Sequence, residues 1–166
     1  MPGSCPQEVY CHSACRDLRM AKKAILYIQY NGSHDLLLFP KVKICGITSP
    51  EDAMQAISFG ADALGFQVGV RHKTEDEVSP EEAKAIVASL PPFVSYVMVT
   101  HLQDAKTLIS LLELIQKTTT IQLHDEDIEL KEMSAIREKI PSVRIIKTIH
   151  VDGSQAPLQN YITMMV

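Results

Sequence analysis

The stretch Lys41-Val42-Lys43-Ile44-Cys45-Gly46-Ile47-Thr48 decides the fold. Its alternating apolar residues predict a short strand, punctuated by Pro40 and Gly46. A helix start follows at once: Ser49 or Thr48 as cap, Pro50 at the first position, and Glu51 and Asp52 near the positive helix end. A strand passing straight into a capped helix is the opening of a βα unit. Cys45 falls where that strand gives way to the loop, a position suited to a proton carrier. A free cysteine is also one of the most frequently buried residue types, so a small packed side chain is the plainer reading of the position.

Beyond Thr48 the alternation of strand and helix continues. Helices are predicted over about 50–60, from Ser79-Pro80-Glu81-Glu82 to Leu90, over about 103–116 and over about 127–139, with another starting near Pro157. Strands are predicted over 62–68, 94–100, 119–124 and 143–149. Strands separated by helices imply right-handed βαβ units and a parallel sheet. Two architectures satisfy this pattern, a doubly wound open sheet or part of an eight-fold barrel. No glycine-rich phosphate fingerprint follows the strand at Lys41, which weakens a nucleotide-binding version of the open sheet.

Before Lys41 the pattern differs. Residues 1 to about 22 have no steady period and read as an irregular extension. Two apolar runs, 24–30 and 36–39, flank the turn residues Asn31-Gly32-Ser33 and predict a hairpin. Residues 1–40 are therefore expected to form an extension, and 41–166 the repeating α/β body.

The chain has 166 residues and a formal charge of −4, with both signs mixed, so neither nucleic acid nor a membrane surface is expected as a partner. No apolar run approaches a membrane span. The first twenty residues lack the apolar core of a secretory signal, and a cytoplasmic location is expected. Cys5, Cys11 and Cys15 crowd the N-terminus with His12, without the paired spacing of a zinc site, and are expected to be reduced thiols.

Four motifs, taken in order, resemble the phosphoribosylanthranilate isomerase family of tryptophan biosynthesis. They are Lys43-Ile44-Cys45-Gly46-Ile47-Thr48, Gly60-Ala61-Asp62-Ala63-Leu64-Gly65-Phe66, Leu90-Pro91-Pro92-Phe93-Val94 and Gln122-Leu123-His124; Ile146-Lys147-Thr148-Ile149 is compatible with the family's fifth strand. The resemblance implies an α/β fold of the (β/α)8 TIM-barrel type, with about five βα units between Lys41 and Val166. A complete barrel takes at least ~200 residues, so the barrel is expected to be incomplete.

The implied reaction is an Amadori rearrangement of a phosphosugar substrate, needing no cofactor. An acid opens the furanose ring and a base removes the proton from the neighbouring sugar carbon. The resemblance assigns the base to Cys45, and a thiolate favoured by nearby cations is a competent base near neutrality. Lys43 shares the strand face of Cys45 and is expected to supply charge, as is Lys147. Arg71, Gln122 and His124 are expected substrate contacts. The family's acid lies on the sixth strand and its phosphate loops after the seventh and eighth, and neither is expected within residues 41–166. Its usual Ser-Pro-Arg after the second strand is replaced by Gly69-Val70-Arg71-His72-Lys73-Thr74-Glu75-Asp76-Glu77. That loop places acidic charge where an anionic substrate is expected.

His101, His124 and His150 each follow a predicted strand, on the rim that carries function in parallel α/β sheets. They read as polar caps of strand ends, as substrate contacts, or as a zinc triad. Asp125, Glu126 and Asp127 read as charges at a helix start. Two rivals to the isomerase stay open: a catalytically incomplete fragment or assembly module, whose two open sheet edges favour pairing with another copy or with the N-terminal hairpin, and a metal-dependent enzyme on the same scaffold.

Overall fold

Local capping sets three of the four described helix starts. The Ser49 hydroxyl accepts the Asp52 N–H at 3.1 Å and Pro50 opens α1, Pro50–Ser58. Ser79 and Glu82 form a reciprocal capping box that opens α2, Pro80–Ser89. Asp104 caps α3, Ala105–Leu114, by accepting the Thr107 N–H at 2.8 Å. Helix α4, Leu130–Lys139, starts after Glu129 without a side-chain cap.

The computed structural model describes residues 23–27, 41–125 and 127–148. Six strands form one sheet: β1 Lys23–Tyr27, β2 Lys41–Cys45, β3 Ala63–Gln67, β4 Ser95–Thr100, β5 Thr120–Leu123 and β6 Arg144–Lys147. The spatial order is β1-β2-β3-β4-β5-β6, and every pairing from β2 to β6 is parallel. Strands that neighbour one another in sequence order never reverse their winding. A doubly wound sheet requires such a reversal. The architecture is therefore the singly wound, barrel-type arrangement, with helices on one side of five parallel strands.

The hairpin expectation is only partly within reach of the described residues, because the run 36–39 lies outside them. Within them, β1 pairs antiparallel with β2 itself, Lys23 opposite Cys45 and Tyr27 opposite Lys41. The last predicted helix, near Pro157, also lies outside the described residues.

Two-residue alternation sorts the strands onto two faces. Ile44, Leu64, Phe66, Tyr96, Met98, Ile121 and Leu123 join the helix residues Ala53, Ala83, Ile86, Leu108 and Ile136 in the main core. The opposite, concave face carries a separate small cluster of Cys45, Val97 and Val99, with Ala63 against it. At the amino-terminal ends of the strands, Asp62 accepts the Lys41 ammonium at 2.7 Å and the Val42 N–H at 2.9 Å. That carboxylate ties β2 to the start of β3 at the end of the sheet remote from the functional rim. Among the described residues, no helix is long and apolar enough to cross a membrane.

Candidate active site

Cys45 ends β2 at the carboxyl rim, on the concave face, and is 8% exposed. Gly46 turns the chain there with φ +84°, a conformation that L side chains rarely adopt. The amides of Gly46 and Ile47 both donate to the Gly65 carbonyl, at 3.0 and 3.1 Å. These bonds hold the strand end rigidly against β3.

Lys43 lies two residues back on the same face and is 2% exposed. Its Nζ donates to Gln122 Oε1 at 2.7 Å and lies 3.6 Å from Cys45 Sγ. Gln122, on β5 and 6% exposed, donates its own Nε2 to Thr148 Oγ1 at 3.2 Å. Three of the expected site residues, Cys45, Lys43 and Gln122, are thus drawn into one hydrogen-bonded group. Gly65 is the residue that makes room for it. A Cβ there would stand 2.7 Å from Cys45 Sγ and 3.0 Å from Lys43 Cε. The motif around Gly65 was legible, but the close approach of two side chains from the next strand was not.

The other expected residues gather around the β5–α4 loop. Arg71 reaches Asp125 at 2.6 Å and Asp127 at 3.6 Å; its side chain is 56% exposed, whereas that of Asp125 is 4% exposed. Asp125 also accepts the Asp127 N–H at 3.0 Å. Burial pushes the Asp125 carboxyl up, but the Asp127 N–H, Arg71, Gln103 and His101 together outweigh it and hold the group below the ordinary aspartate value. Asp125 was expected as a helix-start charge. Instead α4 begins at Leu130, and Asp125 closes a turn and clamps the β3–α2 loop through Arg71. Lys147 Nζ donates to the carbonyls of Asp125 and Thr148, at 2.5 and 2.8 Å. Its register partner is Leu123, so alternation puts it on the helix-facing side, away from Cys45.

The His101 and His124 rings meet edge to face with centroids 5.0 Å apart. His150 lies outside the described residues, and among the described residues no three His, Cys, Asp or Glu side chains are grouped as metal ligands. A cavity of about 340 Å³ opens on the concave face towards the amino-terminal strand ends, lined by Lys41, Asp62, Ser95 and Arg144 among others. Lys43 also lines it, and Cys45 lies beyond it at the carboxyl rim.

Fold and site together define a barrel-type α/β protein with a thiol at the mouth of its first parallel strand and a lysine beside it. Residues 42–166 match the family model described as N-(5'phosphoribosyl)anthranilate (PRA) isomerase, and the chain belongs to that family. It is 38% identical over 113 residues to N-(5'-phosphoribosyl)anthranilate isomerase 2 of Methanosarcina mazei, covering 68% of this chain and 49% of that protein. The crystal structure of phosphoribosyl anthranilate isomerase from Thermotoga maritima superposes with a TM-score of 0.63 at 32% identity, over 74% of this chain and 56% of that one. A second crystal structure of the enzyme, in complex with reduced 1-(o-carboxyphenylamino)-1-deoxyribulose 5-phosphate, matches with the same score and identity, over 59% of its chain. The chain spans about half the length of the curated relatives it matches.

Proposed function

We propose that this chain contributes the base side of a phosphoribosylanthranilate isomerase. The reaction would convert N-(5-phosphoribosyl)anthranilate to the carboxyphenylamino-deoxyribulose phosphate, in tryptophan biosynthesis and in the cytoplasm. The observation that carries the reading is Cys45 at the carboxyl end of β2, with the Lys43 ammonium 3.6 Å from its sulfur. Membership of the family supplies the reaction class.

In this scheme an acid protonates the ring oxygen and the furanose opens to an imine at C1. The Cys45 thiolate then takes the proton from C2, and the enolamine formed relaxes to the aminoketose. The ammonium of Lys43 offsets the negative charge on sulfur. Arg71, with more than half of its side chain exposed, offers a guanidinium to the substrate carboxylate, in competition with Asp125. His124 and Gln122 stand at the carboxyl end of β5, whereas Lys147 directs its ammonium to the carbonyls of Asp125 and Thr148, away from Cys45. The ring-opening acid and the phosphate site come from a segment outside the described residues or from a partner subunit.

The test is growth of a tryptophan auxotroph lacking this isomerase on the full chain and on Cys45→Ala. Growth of the first alone supports the assignment, and equal growth of both removes Cys45 from the chemistry.

A second reading, a module that assembles through its sheet edge, is favoured by β6. Among the described residues its outer edge pairs with no strand, and its residues are exposed or half-buried where those of β5 are buried. A monomeric mass by size exclusion with light scattering would overturn edge pairing.

A further inference from the structure

A buried ammonium is costly unless acceptors surround it, and Lys43 is among the most deeply buried side chains of this protein. Among the described residues its partners are an amide oxygen and a sulfur, and no carboxylate joins them. A carboxylate at the position of Gln122 would hold the lysine equally well but would cancel its field at the sulfur. A neutral amide oxygen at 2.7 Å holds the cation and leaves its charge unspent.

The amide has two unlike ends, and its orientation matters as much as its position. Turned the other way, its NH2 would face the lysine NH3+ and repel it. The Thr148 hydroxyl accepts from Nε2 at 3.2 Å, which keeps the oxygen towards Lys43. Gly65 completes the seat, because the lysine stem and the cysteine sulfur both lie where a Cβ would otherwise be. The parts come from β2, β3, β5 and the residue after β6, so the fold, and no local sequence, assembles them.

We propose that Gln122 is a positioning residue, which fixes the Lys43 ammonium beside the Cys45 sulfur while leaving its charge uncancelled, with Thr148 setting the direction of the amide. The inference rests on the reading of Cys45 as the base, and it assigns Gln122 to the lysine ahead of any contact with substrate.

The experiment is the rate of Cys45 alkylation by iodoacetamide across pH, read peptide by peptide in the full chain so that the other cysteines do not interfere. It needs no isomerase activity. With the ammonium 3.6 Å from the sulfur gone, alkylation at pH 7 is expected to slow several-fold in Lys43→Met. Gln122→Met is expected to slow it several-fold, and Gln122→Glu, which keeps the shape but cancels the charge, to match Lys43→Met. Added to Lys43→Met, the Gln122→Met change is expected to have no further effect. Circular dichroism verifies folding, and Thr148→Val, at the strand end, gives a smaller slowing in the same direction should a Gln122 variant fail to fold. An unchanged profile in the folded Gln122 variants, or in Thr148→Val where they do not fold, overturns the inference. So does an equal effect of Gln122→Met with and without Lys43. A failed complementation beside the expected alkylation pattern would instead overturn the isomerase reading and leave the placement of Lys43 standing.

Discussion

Cys45 and Gly65 face each other across the β2–β3 pair, so close that a Cβ on Gly65 would stand 2.7 Å from the cysteine sulfur. No real side chain tolerates that distance, and the obstacle includes the Cys45 Cα at 3.3 Å as well as the movable sulfur. Gly65→Ala is therefore expected to destabilise the fold by about 1–3 kcal/mol through overpacking and to displace Cys45 from Lys43. Denaturant unfolding and the alkylation rate of Cys45 measure the two effects. Wild-type values for both would show that β3 yields enough to admit a methyl group.

Lys43→Met separates the stability of the concave face from its chemistry. The substitution removes a buried cation, which favours the folded state, but it strands the Gln122 oxygen, which opposes it. These contributions oppose each other, and the net change is expected to stay within about 1 kcal/mol. Alkylation of Cys45 is expected to slow in the same variant. A loss of about 3 kcal/mol or more in urea unfolding would make Lys43 a structural anchor instead.

The elements from Lys41 to Lys147 were legible because their signals are local. Ser49, Ser79 and Asp104 each cap the helix that follows, and the alternation in β2, β4 and β5 reads directly as two faces. Alternation also put Lys43 and Cys45 on one face. What one strand does not display is which side chain on a distant strand meets them. Gln122 lies 79 residues from Lys43 and reaches it across the concave face. Its pattern marked it as a site residue without distinguishing a substrate contact from a partner of the lysine. The same limit applies to Asp125. Next to other acidic residues it reads as helix-start charge, whereas its partner Arg71 arrives from a loop two βα units earlier. The antiparallel β1–β2 pairing answers to the open edge of β2, which the sequence already leaves for an N-terminal strand or another copy, whereas the register of that pairing has no local signal.

Asp62 carries a pH-dependent share of stability at the remote end of the sheet. The hydrogen bond from Lys41 and then the Val42 N–H lower its carboxyl below the ordinary aspartate value, against the opposing effect of burial. Because the folded value is the lower one, the contribution is fully present above about pH 4 and is lost as pH falls through the folded value. Lys41 is largely exposed, which screens the pair. Asp62→Asn is expected to cost about 0.5–1 kcal/mol at pH 7 and to converge with wild type in acid. Urea midpoints at pH 7 and pH 3 test this, and an equal difference at both would remove the ionised carboxylate from the explanation.

Asp125 and Arg71 make a clamp whose two halves are expected to differ in cost. The carboxylate is buried and answers to several donors, the Asp127 N–H, Arg71 and Gln103. Asp125→Ala strands them all and is expected to destabilise by about 1–3 kcal/mol at neutral pH. Arg71→Met removes one exposed partner and leaves the others in place, so a loss below about 1 kcal/mol is expected. The folded carboxyl is again the lower one, so the Asp125→Ala penalty should be constant above about pH 4 and shrink as pH falls through the folded value. Urea unfolding of both variants from pH 7 to pH 2.5 measures the series. Equal losses in the two would mean that the ion pair alone holds the loop; the expected inequality would mean that the Asp125 carboxylate holds it through its other donors as well.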